Sequence, residues 1–328
     1  MLNVVLMYSS LVGGVLLYAA ASVFFFVGVA RSSARPVGQA AALGGPESRR
    51  VVTPAQRLPP FLLAAGASLH AVYVCAASFV LHVCPVGSVH FILSLIGVLA
   101  TFIYLAARMA LVRARAKSGD VGAKSATSRE NLDALGLILG PLGLAFLLGT
   151  YFLVAHPVSG PILGAPFITL HVLVNLLGIA LFVLAGASAT LYLVQEGRLK
   201  NKRLGKMKNL PALDTLDRAE HRFLIGGFPL LTVGILTGTF WSHQLEFGNA
   251  TQVMRLVFGY ATWLLIAAVL VLRAAAGWRG RRSAYGTIAG VCCALSVLVI
   301  YLTRPAPPDA SSADASAARA ARGESAHP

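Results

Sequence analysis

Eight long apolar runs dominate this sequence. Each is about 20 residues or longer, the length that an α-helix needs to cross the hydrocarbon core of a bilayer. A helix also satisfies its own backbone hydrogen bonds, which lipid cannot do. The sequence therefore predicts an all-α, polytopic membrane bundle of about eight transmembrane helices. The runs lie at residues 4–30, 61–82, 90–112, 133–155, 167–194, 223–243, 252–275 and 284–303.

Composition agrees with this class. Hydrophobic residues make up 57% of the chain and charged residues 12%, about half the charged fraction of an ordinary soluble domain. The net charge of +15 could suggest nucleic acid, but the basic residues lie in short loops and no basic soluble module is present to bind it. We expect membrane lipid and not nucleic acid around this chain.

The basic residues alternate between loops. Four segments hold 22 of the 27 Lys and Arg residues, namely 31–60, 113–132, 195–222 and 273–283. The intervening connections hold none, namely 83–89, 156–166 and 244–251. Basic loops remain on the cytoplasmic side of a membrane. This pattern predicts a multi-pass protein of the cytoplasmic (inner) membrane with both termini outside. Because Arg31 follows the first run, we expect an anchor there and not a cleaved signal peptide.

The chain divides into three predicted regions. Residues 1–164 form an N-terminal membrane half of about four helices, and residues 165–303 form a second half of about four. Residues 304–328 are rich in Pro, Ala and Ser, so we expect a disordered tail.

Six of the eight histidines fall within or beside the apolar runs. Five of them lie near predicted outer ends: His82, His90, His156, His171 and His243. A histidine at a helix end can simply keep its polar tip in water. His70 lies in the middle of the second run, where an ionisable ring is costly unless it is partnered or functional. A ligand role and a hydrogen-bonded structural role both remain open for it.

His171 and His243 form the most informative pair. His171 opens the fifth run and His243 closes the sixth, so antiparallel helices bring both to the same membrane face. Asn175 follows His171 by one helical turn and could orient its ring. Two neutral imidazoles suit the axial positions of a low-spin haem iron, predicted to be haem b. Zinc is less favoured, because Glu246 is the only carboxylate nearby.

The second half resembles a known family. The segments 210–217 and 222–241, the histidine His171, and the motif 277–281 are similar to those of the cytochrome c assembly membrane proteins (CcsA/HemX-like). The resemblance is strongest over about residues 165–303. Within it, the small-residue motif Gly234-x-x-x-Gly238 indicates close helix packing.

The resemblance implies haem handling. Members of this family bind haem through histidines and help to deliver it for attachment to apocytochrome c outside the membrane. On that pattern His171 matches the outer histidine, and His70 matches the first in-membrane histidine. Haem and other cytochrome c assembly subunits are the partners implied. A haem-biosynthesis enzyme docked on the basic loop 195–222 is a further hypothesis.

The chain also departs from the family's haem lyases. Their tryptophan-rich acidic segment is reduced to Trp241, His243 and Glu246, and Val271 and Arg273 occupy the stretch where a second in-membrane histidine is expected. A HemX-like haem-handling assembly factor is therefore expected more than a complete lyase or a stand-alone enzyme. Trp241 remains a candidate cofactor contact.

Two other functions stay open. A transmembrane b-type redox protein would need histidine pairs towards both membrane faces, and the predicted inner face supplies none. A small-molecule transporter would show paired helix breaks, and the Gly140-Pro141 step in the fourth run has no matching partner.

Overall fold

The computed structural model describes residues 2–31, 54–82, 89–117, 124–152, 166–201, 211–242 and 250–302. Within these ranges the chain forms eight α-helices and no strand. The helices are α1 (Leu2–Arg31), α2 (Pro54–Leu81), α3 (Val89–Lys117), α4 (Lys124–Phe152), α5 (Pro166–Lys200), α6 (Leu213–Ser242), α7 (Ala250–Ala275) and α8 (Arg281–Leu302).

The predicted polytopic helical bundle is confirmed. All eight helices contain a stretch long and apolar enough to cross a membrane. Several helices begin well before their apolar runs: α4 starts at Lys124 and α6 at Leu213. Apolarity marks only the part of a helix that meets lipid, whereas the backbone hydrogen bonds continue into polar residues. The assignment of both termini to the outer side remains a prediction, as does the tail, which lies outside the described residues.

Helices α1–α4 pack as one group. Three glycines of α4 face three side chains of α1, and a Cβ atom on Gly143 would lie 2.6 Å from Cε1 of Tyr18. Because glycine has no side chain, α1 can approach α4 closely at these three positions. The buried side chains between these helices include Tyr18, Leu63, Phe91, Leu135 and Leu147.

Helix α5 is the centre of the second group and the most buried span, while α7 is the least buried. α5 packs along α6 and also against α8 and α3, so it joins the two groups of helices. Its inward residues include Leu176, Ala180, Phe182 and Leu184. The long α5–α6 contact positions the residues of the candidate site.

Candidate functional site

His171 lies near the beginning of α5 and faces the end of α6. Its ring is partly exposed, and Nδ1 lies 3.0 Å from Oγ1 of Thr237 on α6. Asn175 is one turn further along α5, as the sequence predicted. Its Nδ2 donates to the backbone oxygen of His171 at 2.7 Å and lies 3.3 and 3.4 Å from the two ring nitrogens. The ring is therefore held from two helices.

Two glycines of α6 make room for these side chains. A Cβ atom on Gly234 would collide with the amide of Asn175, and one on Gly238 would lie 2.8 Å from Cε1 of His171. The small-residue motif expected to pack helices thus receives the two candidate site residues of α5. The close packing of α5 against α6 also forms the candidate site, because the His171 ring reaches Thr237 only if the α6 backbone is close.

The residues described at this end suit one axial position of a haem. A partly exposed imidazole, held at one ring nitrogen by the protein, can offer the other nitrogen to iron. Large apolar side chains are exposed at this end of the two helices: Leu170, which precedes His171 in α5, is 46% exposed, and Phe240 of α6 is 67% exposed. Such surfaces suit the flat faces of a porphyrin, although they also suit lipid.

The second predicted ligand cannot be placed against His171. His243 lies outside the described residues. Trp241 belongs to the last turn of α6, but its side chain is outside the described set. The proposed His171–His243 pairing therefore stays a prediction.

His70 occupies a different place, inside the α1–α4 group. Its ring is fully buried. Nδ1 lies 3.3 Å from the hydroxyl of Tyr18, and Nε2 lies 2.8 Å from Oγ of Ser94. Ser94 is in turn hydrogen-bonded to the hydroxyl of Thr150, which lies 2.9 Å from the Phe146 carbonyl oxygen. Four helices thus share one buried polar network.

This network satisfies both ring nitrogens of His70. A buried polar group costs free energy unless it is hydrogen-bonded, so the network explains how the ring is tolerated in the middle of a span. Ligation of a metal by His70 would require the ring to give up one of its two contacts. The two candidate histidines, His70 and His171, belong to separate sites on α2 and α5.

A buried carboxylate connects two of the segments that suggested the family, 210–217 and 277–281. The Asp217 carboxylate of α6 accepts hydrogen bonds from both terminal nitrogens of Arg273 on α7 and from the backbone N–H of Gly280. Both charged side chains are less than a tenth exposed. Gly280 has a φ of +69°, a conformation that glycine adopts without strain. The motifs 210–217 and 277–281 are therefore structural partners.

Next to this pair lies a second buried carboxylate. Oε1 of Glu220 accepts hydrogen bonds of 2.7 Å from Ser283 and Thr287 of α8, and Oε2 has no partner among the described residues. A recess of about 500 Å³ opens beside the ion pair, lined by Asp214, Asp217, Arg218, His221, Arg273, Ala274 and Arg279. The carboxylates of Asp217 and Glu220 thus link α6 to α7 and α8 by hydrogen bonds.

In the part of the chain that the structure describes, no three or more His, Cys, Asp or Glu side chains come together as a metal cluster. Sequence reasoning missed Thr237, Tyr18 and Ser94. Thr237 could have been noticed, because it lies between two glycines on the α6 face that meets α5. Tyr18 and Ser94 carry no local signal, since only the packing of α1, α2 and α3 brings them to His70.

Comparison with known proteins agrees with the sequence resemblance. A family model described as "Cytochrome C assembly protein" matches residues 61–304, which adds α2, α3 and α4 to the region where the resemblance was strongest. A cytochrome c biogenesis protein CcsA of Guillardia theta is 26% identical over 195 residues, covering 53% of this chain and 63% of the relative. One from Picosynechococcus sp. is 37% identical over 81 residues, covering 25% and 24%.

A third CcsA, from Gloeothece citriformis, is 34% identical over 96 residues, covering 29% of this chain and 28% of the relative. The chain thus spans between about a quarter and three fifths of the length of these relatives. No solved structure matches it. The family model nevertheless covers about three quarters of the chain, from α2 to α8. This multi-pass membrane protein belongs to the cytochrome c assembly protein family.

Proposed function

We propose that this protein is an integral membrane haem-binding factor that takes part in cytochrome c assembly. Its place is the cytoplasmic membrane, and it handles haem b at the outer face. The proposal rests on the position of the His171 side chain. Its partly exposed ring lies against Thr237 and Gly238 of α6. Relatives named for cytochrome c biogenesis support it.

The residues of this chain would act as a holder for haem. When bound, haem supplies an iron that takes nitrogen ligands and is itself the group destined for a cytochrome. His171 would bind the iron, Asn175 would limit rotation of the ring, and the exposed apolar side chains of α5 and α6 would cover one porphyrin face. His243, in the connection after α6, is proposed as the second ligand, and Trp241, in the last turn of α6, as a ring contact.

His70 is proposed as a second, in-membrane position. Both of its ring nitrogens contact protein hydroxyls, so haem would reach it only after the ring leaves Tyr18 or Ser94. Other cytochrome c assembly subunits are proposed as partners, and the basic loop 195–222 is proposed to dock a haem-biosynthesis enzyme. A HemX-like assembly role accounts for the reduced tryptophan-rich segment better than complete lyase chemistry does.

Purification from haem-replete membranes tests the proposal. We expect a b-type Soret band whose intensity falls in His171→Ala and in His243→Ala. His82→Asn is the matched control, because His82 directly follows α2 with a φ of 53° that asparagine tolerates. A folded wild-type protein without haem, or equal haem content in all four proteins, would refute the role of His171.

A further inference from the structure

Resting on the proposed haem role of His171, we infer that Thr237 is a positioning residue. It fixes the His171 ring with its proton on Nδ1, so that Nε2 is the nitrogen presented to iron. The contact that carries this inference joins Nδ1 to Oγ1 of Thr237 over 3.0 Å, between α5 and α6.

The direction of that hydrogen bond follows from counting protons. The Thr237 hydroxyl lies 2.8 Å from the carbonyl oxygen of Val233 and 3.0 Å from that of Gly234. Carbonyl oxygens can only accept, and a threonine inside a helix commonly gives its hydroxyl proton to a carbonyl oxygen of the preceding turn. With the Thr237 proton placed there, its oxygen is the acceptor towards His171 and Nδ1 carries the proton. A neutral ring protonated on Nδ1 has its lone pair on Nε2.

Asn175 does not reverse this assignment. Its Nδ2 has its short contact, 2.7 Å, to the backbone oxygen of His171. Its distances to the two ring nitrogens are nearly equal, 3.3 and 3.4 Å, which places the amide across the ring and not along the lone pair of either nitrogen. Hydrogen bonds of that length and direction are weak. The Nε2 lone pair is therefore available to a stronger partner.

Of the two ring nitrogens, Nε2 lies slightly farther from Gly238 of α6. From the position that a Cβ atom of Gly238 would occupy, Cε1 of His171 is 2.8 Å away, Nδ1 3.4 Å and Nε2 3.7 Å. Nε2 is thus the most distant of the three ring atoms from this point of α6. Histidines that bind metals almost always donate their other ring N–H to a protein acceptor, which fixes the tautomer. Thr237 supplies that acceptor here.

The test reads the tautomer directly in the full-length protein in lipid nanodiscs, with no haem added. Ring ¹⁵N NMR distinguishes a protonated from an unprotonated nitrogen, and His171→Gln identifies the His171 signals by their loss. We expect the Nδ1–H form in the wild type and in Thr237→Ser. In Thr237→Val, which removes only the acceptor, we expect a mixture of tautomers. Thr190→Val is the matched control, because among the described residues the Thr190 hydroxyl contacts only its own helix, at Gly186.

A second arm measures hemin binding by the same variants. Loss of the hydrogen bond that a metal-binding histidine makes with its other ring nitrogen typically weakens metal binding about 10- to 100-fold. Thr237→Val should therefore lose that much affinity for hemin. The affinities of Thr237→Ser and Thr190→Val should stay near that of the wild type. An Nε2–H tautomer in the wild type overturns the inference even if hemin binds. Failure of the wild type to bind hemin overturns the proposed function instead, while the NMR result still decides the orientation of His171.

Discussion

The carboxylate of Asp217 and the guanidinium of Arg273 form a two-pronged ion pair inside the bundle, with one contact, between Nη1 and Oδ1, of 3.0 Å. The same carboxylate accepts the N–H of Gly280 at 2.9 Å. It therefore joins α6 to the end of α7 and to the turn before α8. Arg273 stands in the stretch where the family's haem lyases were expected to carry a histidine, and the structure gives it a structural partner.

Removing one member of this pair should destabilise the protein. Asp217→Asn leaves the buried Arg273 charge without its counter-ion, and breaking a buried pair in this way costs about 3–5 kcal/mol. The free energy of unfolding can be measured by denaturant titration in detergent micelles. Asp214→Asn is the control: its pair with Arg218 is 70% and 61% exposed, and exposed pairs are worth about 1 kcal/mol or less. Equal effects of the two variants would contradict the buried role of Asp217.

Replacing Gly238, the glycine next to the His171 ring, with a larger residue should displace the ring. Gly238→Ala places a methyl group where only 2.8 Å separates it from the ring, and overpacking of this kind costs about 1–3 kcal/mol. We expect lower stability and weaker hemin binding. Gly259→Ala on α7 is matched to it, because a methyl group there meets none of the described residues within 4 Å and alanine favours a helix by up to about 1 kcal/mol. If Gly238→Ala bound hemin like the wild type, the close approach of α6 would be irrelevant to ligation.

The buried network around His70 should contribute to stability. His70→Leu removes one hydrogen-bond partner from Tyr18 and one from Ser94, while Ser94 keeps Thr150. The loss of each hydrogen bond costs about 0.5–1.5 kcal/mol. Thermal unfolding in micelles should show the loss. Ser68→Ala provides the comparison, since the Ser68 hydroxyl is exposed and, in the part of the chain that the structure describes, contacts only Ala64 of its own helix. A His70→Leu protein as stable as the wild type would mean that the network adds nothing.

The charge pattern predicts the topology. Alkaline phosphatase fused after residue 160 should be active, because that connection is predicted to be outside, and a fusion after residue 205, in the basic loop, should be inactive. Green fluorescent protein should give the opposite result at the same two positions. Activity of phosphatase in the 195–222 loop would reverse the orientation and place His171 on the inner side.

The sequence was sufficient for the number and order of the helices, because a bilayer demands long apolar segments and these are visible as runs. It was insufficient for their ends. α4 and α6 extend about ten residues beyond their runs, towards Lys124 and Leu213, since helical hydrogen bonding does not stop where lipid does.

The candidate site was predictable only where its parts are close in sequence. Asn175 follows His171 by one turn, so helical spacing placed them together. The contact of His171 with Thr237 and the pairing of Asp217 with Arg273 join residues 66 and 56 positions apart. Such contacts depend on which helices pack together and in what register, and one chain's pattern of apolar and charged residues does not determine that.

Rescue of His171→Gly by imidazole tests the central claim most directly. Replacing the ring with a hydrogen atom leaves a gap beside Thr237 and Gly238 that a free imidazole can fill. We predict that the purified variant lacks the low-spin Soret band of the wild type and that millimolar imidazole restores this band. Asn175 and the α6 residues Thr237 and Gly238 are unchanged in this variant. A wild-type spectrum in His171→Gly before imidazole is added would contradict the account.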